Sequence, residues 1–164
     1  MTDVLIFGAY GQLGSKVFRA AKSRNMSVIR APRSIDISNE FHVAEITSKT
    51  KPRWVVNSAA LTNVDYAHEN THRAMEVNAL GPLYIARAAE TVHASVVQIS
   101  TEAVFDGEKN YPYHELDTCL PVSIYGSSKL AGEVMVRISN PSGYVIRTSW
   151  LYSTEGSTNF PSRL

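Results

Sequence analysis

Residues 4–14, VLIFGAYGQLG, decide the fold. Residues 4–9 form an apolar run of strand length, and from residue 12 to residue 25 Leu13, Val17, Phe18 and Ala21 recur at helical spacing. Between the two lies a G-x-x-G-x-x-G turn made by Gly8, Gly11 and Gly14. Missing side chains let such a turn reverse sharply, approach a pyrophosphate and pack the helix on the sheet, with the helix N-terminus facing the phosphates. Gln12 and Leu13 open that helix and belong to the expected dinucleotide contact. A glycine-rich turn without a ligand is the plainer alternative.

The same alternation continues along the chain. Residues 27–30 read as a second strand, 38–50 as a helix capped by Ser38, and 53–60 (RWVVNSAA) as a third strand bounded by Pro52. Residues 71–93 carry Ala74, Val77, Leu80, Leu83, Tyr84, Ala86, Ala88 and Ala89 on one long helix, with a bend expected at Gly81-Pro82. Residues 95–100 read as a fourth strand, 123–138 as a helix, 140–143 as a turn and 144–150 as a fifth strand. Strands alternating with helices imply right-handed crossovers and an α/β fold. The expected architecture is Rossmann-like: a doubly wound, mostly parallel sheet with helices on both faces and ligands at the carboxyl ends of the strands. The 164 residues fit a single NAD(P)-binding domain, 1–164.

Composition narrows the function classes. With 19% charged residues and a net charge of +1, the chain has no electrostatic footprint for nucleic acid or an anionic membrane, and neither partner is expected. The N-terminus lacks the basic residues of a signal peptide and no apolar run approaches a membrane span, so the chain reads as cytoplasmic. Cys119 is the single cysteine, which excludes an internal disulfide, and it has no obvious activating base in its Pro-flanked loop. His68 and His72 stand at i and i+4 but no third ligand follows, so no metal is expected. Asp65 and Glu69 are expected to charge the start of the helix over 71–93.

The second strand ends Ile29-Arg30-Ala31-Pro32-Arg33, where a plain NAD site usually offers an acid to the ribose hydroxyls. Arg30 and Arg33 can grip a ribose phosphate bidentately, so NADPH is the expected cofactor. NADH is the alternative, since Asp36 competes as a ribose or adenine contact. Solvated loop charges are the plainer account of both arginines.

The fourth strand ends in ISTEAVFDG, residues 99–107, and is followed by YGSSK, residues 125–129. Tyr125 and Lys129 share one helix face about 6 Å apart along the axis. A neighbouring ammonium stabilises a phenolate and brings the phenol proton closer to transferable, which makes Tyr125 a candidate general acid. Thr101 can donate to a carbonyl oxygen that becomes an alkoxide as hydride arrives. Ordinary alternatives are a surface pair on the helix and strand-end capping by Ser100 and Thr101. Glycine turn, strand-end hydroxyl and Tyr/Lys helix in this order are jointly more specific than any one of them.

Together FGAYGQLG, SIDIS, VVNSAALTNVDYAHEN, VNALGPLYIARAA, ISTEAVFDG, YPYHELD, PVSIYGSSKLAGE and VIRTSWLYSTEGSTNF span nearly the whole chain. Through them it resembles the extended short-chain dehydrogenase/reductases and, within these, the dTDP-4-dehydrorhamnose reductase family. The resemblance implies NADPH-dependent reduction of the 4-keto group of a dTDP-linked keto-sugar. It implies that Gly8, Gly11 and Gly14 hold the pyrophosphate, Asp36 and Ile37 border the adenine, Ala59 and Ala60 pass close to the cofactor, and Asn78 holds structure or a water nearby. Thr101, Tyr125 and Lys129 form the implied catalytic set, Lys129 also holding the nicotinamide ribose. Thr62, Val64 and Trp150 match sugar-lining positions, Trp150 having an alternative place in the core. Two departures stand out. Glu102-Ala103 occupies the place of an Asp-Tyr pair, changing the carboxylate expected near the sugar, and the family's chains continue well past the Asn-Phe found here as Asn159-Phe160. The implied reductase therefore lacks part of the substrate wall, and a homodimer or a partner chain would cover it.

A second class of function fits the same residues. A non-catalytic NADP-binding regulatory subunit, resembling the methionine adenosyltransferase β subunit, would use the glycine turn without the chemistry, and a third possibility is a fragment with no independent activity.

Overall fold

The computed structural model describes residues 2–152. Five parallel strands, β1 (Thr2–Phe7), β2 (Val28–Arg30), β3 (Pro52–Asn57), β4 (Ser95–Thr101) and β5 (Tyr144–Thr148), form one sheet in the order β2-β1-β3-β4-β5. The order reverses between β1 and β3, and doubly wound sheets open their ligand crevice at such a point. Alternation along β1 builds two cores. Val4 and Ile6 pack with Val17, Phe18 and Ala21 of α1 (Gln12–Ser23) on one face. Leu5 and Phe7 point to the other, against Val43 of α2 (Glu40–Thr50), Ile85 and Ala89 of α5 (Gly81–Thr91) and Val136 of α6 (Ile124–Ser139). Burial on both faces is why these strands are written as continuous apolar runs.

Four local expectations are corrected by tertiary contacts. Helix α2 starts at Glu40 behind an Asn39 cap that accepts from the His42 amide at 3.2 Å; Ser38 is held instead by Asp36, to which its amide and hydroxyl donate at 3.0 and 2.7 Å. The third strand spans Pro52–Asn57 and not 53–60. There Asn57 takes the chain out of the sheet, donating to Gln98 Oε1 at 2.8 Å and accepting from the Ala59 amide at 3.1 Å. Asp65 and Glu69 lie inside a separate short helix, α3 (Val64–Glu69), whose Asn63 cap accepts from the Tyr66 amide at 2.9 Å. The long helix expected over 71–93 is divided into α4 (Thr71–Met75), a π-helical turn (Glu76–Leu80) and α5. Pro82 has no amide proton to continue the α-helical ladder, and the wider turn, closed by the Gly81 amide on the Glu76 carbonyl, takes up the defect where a bend was expected. Among the described residues no helix is long and apolar enough to cross a membrane.

Candidate active site

The glycine turn is a cradle with no room for side chains. Gly8 has φ +70°, and a Cβ there would lie 2.5 Å from the Ala59 nitrogen; one on Gly14 would lie 2.3 Å from the Gly8 carbonyl oxygen and 2.6 Å from Ser58 Oγ. The ends of β1 and β3 are thus pressed together, and Ser58 fastens them by donating its amide (3.1 Å) and hydroxyl (2.7 Å) to the Phe7 carbonyl. Gly11 caps α1 without a side-chain hydrogen bond, and the first turn of α1 carries no acid. Its free amides and the positive end of the helix dipole suit an anion, and a Cβ at Gly11 would come within 3.3 Å of the Gly8 carbonyl oxygen. These residues fit the pyrophosphate of a dinucleotide. Ala59 and Ala60 are half-buried beside the cradle, as is Leu13, while the Gln12 side chain donates to the Leu151 carbonyl at 3.1 Å.

At the end of β2 the two arginines gather over one ring. The Arg30 guanidinium lies 4.7 Å from the Tyr10 ring centroid and 4.4 Å from that of Phe18, and Arg33 lies 5.0 Å from Tyr10. Stacking of this kind holds exposed guanidiniums in place next to the glycine turn. Asp36 is engaged elsewhere: besides Ser38 it binds Arg73 of α4 at 2.9 Å. Burial works to raise its carboxyl, but the hydrogen bonds from Ser38 and Arg73 outweigh this and hold the pKa below its ordinary value. Ile37 is a core residue, packed so closely on Gly81 that a Cβ there would meet its Cδ1 at 2.8 Å.

Thr101 is the last residue of β4 and caps a 3-10 turn (Glu102–Val104), accepting from the Ala103 amide at 3.1 Å and donating to Glu102 Oε2 at 3.1 Å. This is the strand-end capping expected as the ordinary alternative. Tyr125 stands in the first turn of α6. Burial pushes its phenol up, a hydrogen bond with the Thr101 hydroxyl opposes that, and the Glu102 carboxylate adds to the rise. Lys129, one turn along, is buried and donates to the Ile99 carbonyl at 2.7 Å. Burial lowers its pKa from 10.5 to about 8 against the charge of Glu133. The phenol's acidity is thus governed here by burial, Thr101 and Glu102, where the spacing alone suggested the lysine.

The lysine shift has a signed consequence. Between about 8 and 10.5 the unfolded chain holds the Lys129 proton and the folded chain does not, so folding gains stability as pH rises through that window. Wild-type protein is expected to gain stability relative to a Lys129→Met variant between those pH values, measured by urea unfolding at each pH.

Three further side chains complete the frame. The buried Asn78 spends its amide on structure: it accepts from the Leu61 amide (2.9 Å) and donates to the Leu61 carbonyl (2.9 Å) and to Ser128 Oγ (3.0 Å). It ties the loop after β3 to α6 and offers no free polar atom to a cofactor. Gly126 packs on the turn after β4, where a Cβ would sit 2.1 Å from the Ala103 carbonyl oxygen; Gly132 packs on the π-helical turn, where one would sit 2.2 Å from the Asn78 carbonyl oxygen. Ser128, Gly126 and Gly132 had one signal in the sequence, their spacing on the helix that carries Tyr125 and Lys129.

The sugar-lining candidates stand at the surface. Thr62, Glu102 and Trp150 are exposed, Trp150 at 73%, which excludes a core position for that ring. Val64 lines a cleft of about 650 Å³ between α3 and the start of α6, with Asp65, His68 and Ser123. Thr101, Tyr125 and Lys129 do not line that cleft. Among the described residues no group of His, Cys, Asp and Glu comes together as a metal site. Asn159-Phe160 lies outside the described residues.

The family model described as the RmlD substrate binding domain matches residues 1–164. The chain belongs to this family. Among the relatives, the spore coat polysaccharide biosynthesis protein SpsK of Bacillus subtilis is 38% identical over 161 residues, covering 98% of this chain and 56% of SpsK. A crystal structure of a dTDP-4-dehydrorhamnose reductase from Clostridium acetobutylicum superposes with a TM-score of 0.92 at 42% identity, covering 97% of this chain and 56% of that one. The Bacillus anthracis dTDP-4-dehydrorhamnose reductase, solved in complex with NADP, superposes at 0.90 with 34% identity, over 95% of this chain and 56% of that one. The chain spans about half the length of the curated relatives it matches. These likenesses bear out the Rossmann-like α/β fold.

Proposed function

We propose that this chain carries the cofactor-binding and proton-donating half of an NADPH-dependent reductase. Its substrate on this reading is the 4-keto group of dTDP-4-dehydrorhamnose, reduced to dTDP-L-rhamnose. The observation that carries the reading is the place of Tyr125 on α6, one helical turn from a buried lysine that donates to the β4 backbone two residues before Thr101, at the same end of the sheet as the glycine cradle. The dTDP-4-dehydrorhamnose reductases it resembles, one of them solved with NADP, point to the substrate and cofactor class.

When bound, NADPH supplies the hydride. Gly8, Gly11 and Gly14 hold the pyrophosphate, with the α1 N-terminus behind it, and Arg30 and Arg33 bind the ribose phosphate. Thr101 directs its hydroxyl to the ketone oxygen, exchanging its Glu102 partner for the substrate, and stabilises the charge that develops there. Tyr125 gives its proton to that oxygen; its raised pKa keeps the proton on the phenol until the oxygen becomes basic. Lys129, fixed by the Ile99 carbonyl, would hold the nicotinamide ribose. Glu102 and Trp150, with Thr62 and Val64, border the sugar. A covering chain, as a second copy or a separate polypeptide, belongs to this reading, because Tyr144 and Ile146 of the last strand are exposed.

The deciding assay follows NADPH oxidation with dTDP-4-dehydrorhamnose as substrate. Steady oxidation dependent on both supports the reading; tight NADPH binding without oxidation favours the regulatory subunit, a reading favoured by the Glu102 carboxylate that already occupies the Thr101 hydroxyl. A second result checks the cofactor. Arg30→Ala should weaken NADPH binding by about 10–100-fold, the worth of one charge-assisted contact, and leave NADH binding nearly unchanged. Equal losses for both dinucleotides in calorimetry would remove the phosphate role.

A further inference from the structure

Glu133 is a carboxylate in the interior, 1% exposed, two turns along α6 from Tyr125. It accepts from Ser100 Oγ at 2.5 Å and from Arg147 Nε and Nη2 at 2.9 and 2.7 Å. Ser100 and Arg147 are register partners across β4 and β5, so one carboxylate captures a cross-strand pair. Tyr125, Lys129 and Glu133 stand at i, i+4 and i+8 and share one helix face. Opposite them on β4 lie the Thr101 hydroxyl, the Ile99 carbonyl and the Ser100 hydroxyl. Three consecutive strand residues thus meet three successive turns of the helix.

We infer that Glu133 is a positioning residue of this site: it holds α6 in register with the end of β4, and it supplies the buried negative charge that faces Lys129. Burying a lone carboxylate is costly, and here it is offset by a two-pronged guanidinium contact and a hydroxyl. A register set this way keeps Tyr125 against Thr101 without using either side chain's polar atoms. The groups that surround the lysine define the electrostatics. Glu133 and Tyr125 flank it on α6, the Ile99 carbonyl accepts from it on β4, and Glu102 acts on Tyr125. Arg147 approaches from β5 through Glu133, and Arg137 reaches the same carboxylate at 3.9 Å from the surface. Removing the carboxylate charge takes away the negative charge that favours protonated Lys129 and leaves the Arg147 guanidinium without its carboxylate partner. The inference rests on the reductase reading only for its kinetic consequences.

The test is a titration of Lys129 by NMR in protein labelled with 13C at the lysine ε carbon, the signal being assigned by its loss in Lys129→Arg. In Glu133→Gln the midpoint should fall by about 1–2 pH units, as when an opposite charge is removed at close range. Arg147→Gln should move it upward, because Glu133 then has Lys129 as its main cation, and this second variant decides the matter if the first does not fold. Ser100→Ala should leave the midpoint in place while lowering the melting temperature. In the reductase assay the alkaline limb of kcat/KM should move to lower pH in Glu133→Gln, with KM for NADPH little changed, and Glu133→Asp should recover most of the turnover. An unmoved Lys129 midpoint in a folded Glu133→Gln or Arg147→Gln protein would overturn the inference and leave Glu133 a structural ion pair. A wild-type chain that reduces no ketone but shows the predicted lysine shifts would instead overturn the functional reading alone.

Discussion

Tyr125→Phe should lose turnover by about 10²–10⁴-fold, the range in which a positioned general acid acts, while NADPH binding stays within about twofold, well under 1 kcal/mol. The change removes one oxygen from a half-buried side chain, so packing along α6 is preserved. Binding is spared because the cradle of Gly8, Gly11 and Gly14 and the arginines over Tyr10 belong to other elements. A fall in kcat with unchanged cofactor affinity identifies an interaction made in the transition state. Single-turnover kinetics and fluorescence titration with NADPH read the two quantities separately. Wild-type turnover in the phenylalanine variant would remove Tyr125 from the mechanism, and joint loss of binding and turnover would show that the phenol builds the pocket.

Gly126→Ala is the second large effect, and its sign runs against local propensity. Alanine in place of glycine inside a helix is worth about 1 kcal/mol of stabilisation in isolation. Here the new methyl would lie 2.1 Å from the Ala103 carbonyl oxygen and 3.0 Å from Pro121 Cβ. A backbone atom cannot step aside as a flexible side chain can, so α6 must move away from the turn after β4, at a cost of about 1–3 kcal/mol for overpacking. The melting temperature should drop by about 2–4 °C for each kcal/mol in a domain of this size. Activity should suffer more than stability, because the displacement opens the gap between Tyr125 and Thr101, and a misplacement of about 1 Å costs on the order of 10²-fold. An alanine variant with equal or higher stability and full turnover would show that the helix does not rest on Ala103.

The contrast between these two positions shows where the chain was readable. Tyr125 and Lys129 announce themselves because their relation is local: four residues on a helix fix a shared face whatever the rest of the fold does. The strand, glycine turn and helix of residues 4–14 were readable for the same reason. Gly126 and Gly132 look like weak points in a helix until the carbonyls of Ala103 and Asn78 are seen against them. Asn78 resembles a polar contact for a ligand until its three hydrogen bonds to Leu61 and Ser128 are counted. Ser38 is the helix cap that the sequence suggests, but the role falls to Asn39 because Asp36, itself fastened by Arg73, captures the serine.

Periodicity, turn chemistry and short spacings on one helix determined the alternation of elements, the glycine cradle and the acid–lysine pair, since each depends on residues within a few positions of one another. The pairing of Glu133 with Ser100 and Arg147, the burial that brings Lys129 to about 8, and the placing of Thr101 against the phenol were decided only when β4, α6 and β5 came together. Those relations join residues 14 to 33 positions apart. Nothing local encodes them, because which groups share a low-dielectric interior is set by the register between elements and not by the order of residues along any one of them.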